Sequence, residues 1–84
     1  MKEIKIYTGP MCNYCEAAKR LLKRNNATYN EIDISKVEGA MDEMIKKASG
    51  KRTIPQIFFD DEHIGGYDEV RALEKENKLQ DLLK

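Results

Sequence analysis

Residues 11–22, Met11-Cys12-Asn13-Tyr14-Cys15-Glu16-Ala17-Ala18-Lys19-Arg20-Leu21-Leu22, set two cysteines three positions apart at the head of a run of good helix formers. They are the only cysteines in the chain. Upstream, Gly9-Pro10 breaks off a segment, Glu3-Ile4-Lys5-Ile6-Tyr7-Thr8, that alternates charged and β-favouring residues and reads as a strand with Ile4 and Ile6 on one face. From about Asn13 to Asn25 the apolar positions Tyr14, Ala17, Ala18, Leu21 and Leu22 recur at helical spacing. Lysine and arginine collect toward the end of that helix, where they complement its dipole, and Asn25-Asn26 is a stop. Thr28 to Ile34 then reads as a second strand. A strand–helix–strand run of this length implies two adjacent parallel strands joined by a right-handed crossover, and this unit decides the fold.

The remainder extends the same sheet. Ser35-Lys36-Val37-Glu38 has the form of a capping box, with Ser35 as N-cap and Glu38 reaching back to it. The helix expected there carries Val37, Met41, Met44, Ile45 and Ala48 as one apolar stripe and ends at Ser49-Gly50. Ile57-Phe58-Phe59 is a short β-type strand, Asp60-Asp61-Glu62 a polar turn, and His63-Ile64 a brief returning strand. Gly65-Gly66 punctuates, a helix runs from about Asp68 to Glu76 with Val70 and Leu73 inward, and Leu79, Leu82 and Leu83 form a last helical turn over the core. The order β-α-β-α-β-β-α gives an α/β protein, a four-stranded mixed sheet with helices on both faces.

Eighty-four residues make one domain, 1–84, that buries only about 60–65% of its unfolded surface. Lysine plus arginine and aspartate plus glutamate balance at 15 each, which leaves no basic footprint for nucleic acid or for an anionic membrane. No stretch approaches the roughly 18 apolar residues of a membrane span, and Met1 to Thr8 reads as a strand rather than a signal peptide. A secreted domain held by disulfides normally carries four or more cysteines. The expectation is a cytoplasmic monomer whose paired cysteines are catalytic.

Four chemistries compete for that pair. A structural zinc needs about four soft or imidazole ligands, and Cys12, Cys15 and a distant His63 fall short. Haem attachment needs histidine after the second cysteine, where Glu16 stands. A purely structural disulfide closing so small a loop constrains the unfolded chain little. Redox work remains, and its physics follows from placement. Cys12 falls at the N-cap or first position of a helix, where unpaired N–H groups and the dipole favour a thiolate. Helix-terminal cysteines of this spacing have pKa values lowered to roughly 3.5–7.5 from about 8.5. Cys15, nearly one turn further in and on the same face, stays more protonated. Cys12 is then the attacking sulfur and Cys15 the resolving one.

With this arrangement the chain resembles the glutaredoxins, of the small bacterial dithiol type within the thioredoxin-like fold. Three separated blocks carry the resemblance over essentially the full 84 residues: Cys12-Asn13-Tyr14-Cys15, Thr53-Ile54-Pro55 and Gly65-Gly66-Tyr67-Asp68. It implies a glutathione-dependent thiol–disulfide oxidoreductase acting on protein–glutathione mixed disulfides and protein disulfides, with glutathione as co-substrate and no metal. It also implies that Pro55 is cis and faces the cysteines, holding the Ile54 backbone free to pair with a substrate cysteine. Read without the family, Pro55 simply starts a strand, where a residue lacking N–H belongs. Gly66, Tyr67 and Asp68 are assigned by the resemblance to the γ-glutamyl end of glutathione: helix-start amides for its carboxylate, Asp68 for its ammonium. Read alone, Asp68 is an acidic residue in a favourable helix-terminal position.

Two departures stand out. The family commonly has a lysine shortly before the cysteine pair, and Gly9 stands at the matching position. The glycine-end carboxylate then falls to Tyr14, Gln56 or Arg52, with Thr53 beside them and Lys51 ranked last. Asn13, which keeps its backbone N–H, stands where the family most often has proline. Loss of that proline is sometimes linked in the family to an iron–sulfur cluster held between protomers by Cys12 and glutathione. The competing readings are therefore a cluster carrier of that kind and a thioredoxin-like reductant served by a flavoprotein reductase. His63 reads as a strand-edge residue without chemistry, and the four methionines as packing.

Overall fold

A computed structural model describes residues 2–84. In chain order these form β1 (Ile4–Thr8), α1 (Asn13–Arg24), β2 (Asn30–Asp33), α2 (Ala40–Lys47), β3 (Gln56–Phe59), β4 (Glu62–Gly65), α3 (Tyr67–Lys75) and α4 (Leu79–Leu83). The sheet order is β2-β1-β3-β4. β1 runs parallel to β2, with Tyr7 opposite Ile32, and antiparallel to β3, with Ile6 opposite Ile57; β3 and β4 form an antiparallel hairpin. This is the expected mixed sheet, with the C-terminal leucines resolved as a helix of their own.

The two-residue period of β1 divides the core. Ile4 and Ile6 point to one face, where they meet Ile57 and Phe59 of β3 beneath Ala18, Leu21 and Leu22 of α1, Val70 of α3, and Leu79 and Leu83 of α4. Tyr7 and Phe58 point to the other face, edge to face at 5.6 Å, under Met44 and Ala48 of α2. Three helices thus cover the first face and one short helix the second. Each fully buried large apolar side chain contributes about 1.5–3 kcal/mol, so most of the hydrophobic stabilisation lies on the α1/α3/α4 side. The buried Tyr7 hydroxyl is paired by donating to Glu43 of α2 at 2.5 Å. Burial of the ring, then this carboxylate, pushes the Tyr7 phenol well above its usual range.

At the start of α2 the structure corrects the expected capping box. The Asp33 carboxylate takes both the Ser35 hydroxyl (2.6 Å) and the Ser35 N–H (2.9 Å), an Asx turn that competes with helix capping. Gly39 then adopts φ +79°, a left-handed conformation that serves as the helix N-cap without a side-chain bond. The helix begins only at Ala40. Of the expected stripe, Met44 and Ala48 are buried and Ile45 partly so, whereas Val37 and Met41 are exposed.

Helices α1 and α3 are fastened at their C-terminal halves. Glu74 of α3 accepts from Arg24 Nε (2.9 Å) and Nη2 (2.7 Å), from Asn25 Nδ2 (2.7 Å) and from Arg71 Nη1 (3.0 Å). These donors, Arg24 first, hold the Glu74 carboxyl at a pKa of about 2. Among the described residues no helix is long and apolar enough to cross a membrane.

Candidate active site

The N-terminus of α1 supplies the sulfur site. Cys12 is the N-cap, in extended backbone (φ −114°, ψ 102°), and its carbonyl accepts the first helical bond from Glu16 N–H. Its Sγ takes the place usually held by a serine or aspartate oxygen and accepts the Cys15 N–H at 3.1 Å. The sequence favours this geometry because Gly9-Pro10 stops the strand and the three residues after Asn13-Tyr14-Cys15 are strong helix formers. The two cysteines form a disulfide with Cα atoms 5.2 Å apart. Cys12 is half-buried and Cys15 buried, the asymmetry anticipated from their positions along the helix.

Facing the disulfide is the loop that leads into β3. The Ile54–Pro55 peptide is cis, and the Ile54 carbonyl oxygen lies 3.9 Å from Cys12 Sγ. Gly9 packs so closely here that a Cβ on it would sit 2.7 Å from Ile54 Cδ1. A lysine at this position would have to turn the terminal methyl of Ile54 aside. Gln56, only 2% exposed, organises the same loop. Its Nε2 donates to Thr53 O (3.0 Å) and Thr53 Oγ1 (3.1 Å), and its Oε1 pairs with His63 Nε2 at 2.7 Å. Both amide hydrogens are thereby engaged within the protein, which makes Gln56 a brace for Thr53 rather than a free donor. His63, on edge strand β4, lies over Phe58 with ring centroids 4.9 Å apart. Burial, and then the Lys51 charge, lower its pKa, which favours the neutral ring.

The third wall is the start of α3. A Cβ on Gly66 would lie 3.2 Å from the Pro55 carbonyl, so a glycine there lets the two loops approach closely. Glu69 reaches back to accept the Gly66 N–H at 2.5 Å, half of a capping box. The next amides, of Tyr67 and Asp68, belong to the first turn and have no intrahelical acceptor. The Tyr67 and Tyr14 rings, with centroids 5.9 Å apart, link α3 to α1.

A single open cavity of about 330 Å³ joins these parts. Tyr14, Thr53, Ile54, Pro55, Gln56, Gly66, Tyr67 and Asp68 line it, together with Lys51 and Glu69. Arg52 is not part of the lining, and Cys12 meets the cavity at its Ile54 margin. Of two neighbouring exposed loop cations the fold thus turns Lys51, not Arg52, toward the cavity, a choice that loop geometry makes and sequence does not signal. The sequence reading also missed Glu69 and the bracing role of His63. The spacing Gly66-x-x-Glu69 was the available signal for the first; a histidine opposite a buried glutamine across a hairpin leaves none for the second.

Comparison with known proteins agrees with this geometry. A family model described as Glutaredoxin matches residues 4–64. Glutaredoxin 1 of Rickettsia prowazekii is 47% identical over 79 residues, 93% of this chain and 83% of its own. The solution structure of glutaredoxin from Brucella melitensis superposes with a TM-score of 0.86 at 49% identity, covering 100% of this chain and 90% of that one. The crystal structure of the buckwheat glutaredoxin–glutathione complex gives 0.86 at 27% identity, covering 98% and 76%. With a half-buried sulfur at a helix start, a buried partner sulfur one turn on, and a proline loop against them, this chain belongs to the glutaredoxin family of thiol–disulfide oxidoreductases, with the thioredoxin-like fold of that family.

Proposed function

We propose that the protein is a glutathione-dependent reductase of protein–glutathione mixed disulfides and of protein disulfides. One observation carries the reading: the Asp68 carboxylate and the first-turn amides of α3 share a cavity with the Thr53–Pro55 loop, at whose margin lies Cys12 Sγ. The γ-glutamyl end of glutathione carries an ammonium and a carboxylate on one carbon. Asp68 suits the first and the Tyr67 and Asp68 amides the second. Lys51 is then the cation within reach of the glycine carboxylate, a role Gly9 cannot fill, and the Tyr14 hydroxyl is a second donor. The backbone of Ile54 and the hydroxyl of Thr53 serve the cysteinyl part. A glutathione-bound relative of 27% identity with the same fold supports the assignment.

In the reduced protein the Cys12 thiolate keeps the acceptor position for the Cys15 N–H and the favourable end of the α1 dipole. It attacks the glutathione sulfur of the mixed disulfide. One S–S bond forms as another breaks, and the protein thiolate departs. Free glutathione then attacks the Cys12-bound sulfur, releasing oxidised glutathione and regenerating the thiolate. A protein disulfide instead leaves its sulfur on Cys12, and Cys15 displaces it, closing the disulfide seen here.

The test is turnover of a glutathionylated peptide coupled to glutathione. Cys12→Ser abolishes it, Cys15→Ser retains it, and Asp68→Asn raises KM about 5–30-fold with kcat little changed, the loss of one charge-assisted contact. Turnover by Cys12→Ser, or an unaltered KM in Asp68→Asn, refutes the assignment.

A further inference from the structure

Among the described residues five non-glycine positions have positive φ: Met11, Asn26, Ser49, Asp60 and Asn77. Four are asparagine, aspartate or serine, whose short polar side chains bond to nearby backbone and suit turns. Met11, at φ 54°, has no such compensation. Nor does it gain by packing, because its side chain is fully exposed. Local rules at this position favour glycine or asparagine, and a departure of this kind without a structural return points to function. Of the exposed large apolar side chains among the described residues, Met11 and Tyr14, at 63%, are the most exposed, ahead of Val37 and Met41. These two lie on either side of Cys12 in the chain.

We propose that Met11, the exposed residue directly before Cys12, is a specificity-determining residue that packs against apolar side chains flanking the target cysteine of a peptide or protein disulfide. The occupant is fixed by the exchange reaction itself. When the mixed disulfide forms, the two joined cysteines have Cα atoms about 5.5–6 Å apart, so the substrate residues next to the attacked cysteine come within a methionine's length of Met11. A long, unbranched, polarisable side chain conforms to varied apolar neighbours, which suits an enzyme with many substrates. Nothing in this selectivity depends on glutathione.

The test uses the reduced protein in single turnover against peptides whose cysteine is disulfide-bonded to 5-thio-2-nitrobenzoate. Cys12 thiolate attacks the peptide sulfur and expels the coloured aromatic thiolate. Cys15 then attacks Cys12, releasing the peptide thiol, so two electrons pass from the dithiol to the disulfide. One peptide carries leucine and phenylalanine next to its cysteine, a second glycine and serine, and the cysteine–nitrobenzoate disulfide alone is the control. Met11→Asn lowers the rate constant for the apolar peptide about 5–20-fold, the fraction of a methionine's burial that a one-sided contact supplies. It leaves the polar peptide and the control within twofold, Met11→Leu restores the apolar rate, and the thermal midpoint of Met11→Asn rises because asparagine fits the left-handed backbone. Equal rates for both peptides in wild type and Met11→Asn overturn the proposal, as does a uniform loss that includes the control. Glutathione is absent throughout, so failure here leaves the proposed glutathione site untouched, and the reverse holds.

Discussion

Replacing Glu74 with glutamine keeps the shape of the clasp between α1 and α3 and removes its charge. In the folded protein the Glu74 carboxyl has a pKa of about 2 rather than 4.5, because Arg24, Asn25 and Arg71 all donate to it. That gap of about 2.5 units corresponds to at most ~3.4 kcal/mol at 1.36 kcal/mol per unit. The Glu74 side chain is 19% exposed and both arginines more so, and solvent screening reduces the worth of the network to about 1–2 kcal/mol. The sign follows from linkage. A depressed carboxyl pKa contributes its stability in full above the unfolded value near 4.5 and loses it as pH falls through the folded value near 2. Urea unfolding at pH 7 therefore shows Glu74→Gln less stable by about 1–2 kcal/mol, a fall in Tm of about 4–16 °C for a domain of this size. At pH 3 more than half of that difference is gone. A difference that stays constant from pH 7 to pH 3, or that is absent at pH 7, refutes the reasoning. The clasp also bears on chemistry, since the N-termini of the two helices it joins carry Cys12 and Asp68.

Two other outcomes are expected. Lys51→Ala raises KM for a glutathionylated peptide about 3–10-fold whereas Arg52→Ala changes it less than twofold, because only Lys51 lines the cavity; steady-state kinetics at low and moderate salt separates the two. Tyrosinate absorbance followed to high pH shows Tyr7 ionising well after an ordinary phenol, and the stability it contributes below pH 10 is lost as pH rises past its own elevated pKa. Tyr7→Phe removes the late transition and costs about 1 kcal/mol at pH 7, read by urea unfolding.

The parts of the fold that sequence made legible are those governed by short-range periodicity. Alternation in Ile4 to Thr8 and the helical stripe through Leu22 specify which faces meet, and Ile4, Ile6, Ala18, Leu21 and Leu22 are buried together as expected, whereas Tyr14 at the head of the stripe is exposed. The start of α2 was misread because two local signals compete there. A serine followed by Glu38 resembles a cap, but Asp33, two residues upstream, binds the serine first, and Gly39 sets the true start. The site shows the same division. Cys12 was readable from its own helix-start signature, whereas the local signatures of Pro55 and Asp68 give only a strand start and a helix start, and it was the resemblance that set them against the cysteines. That Lys51 rather than Arg52 enters the cavity, and that Gln56 spends its amide on Thr53 while His63 braces it, depends on contacts between segments far apart in sequence. No local pattern encodes those.

The departure at Asn13 is resolved by where the chain places it. Asn13 is the first residue of α1, the helical position that best accepts proline, since its N–H has no intrahelical acceptor. Proline also restricts the residue before it to extended backbone, and Cys12 already has φ −114° and ψ 102°. The amide that Cys12 Sγ accepts is that of Cys15, not of Asn13. Asn13→Pro should therefore stabilise the protein by about 0.4–1 kcal/mol through the unfolded chain, raising Tm by roughly 2–8 °C. The pH midpoint of Cys12 alkylation by iodoacetamide in the reduced protein should move by less than about 0.3 unit, because the bonded donor is retained. A midpoint shifted by a full unit would mean that the Asn13 amide, and not only the Cys15 amide, holds the thiolate. The helix-start account of the nucleophile would then rest on the wrong donor.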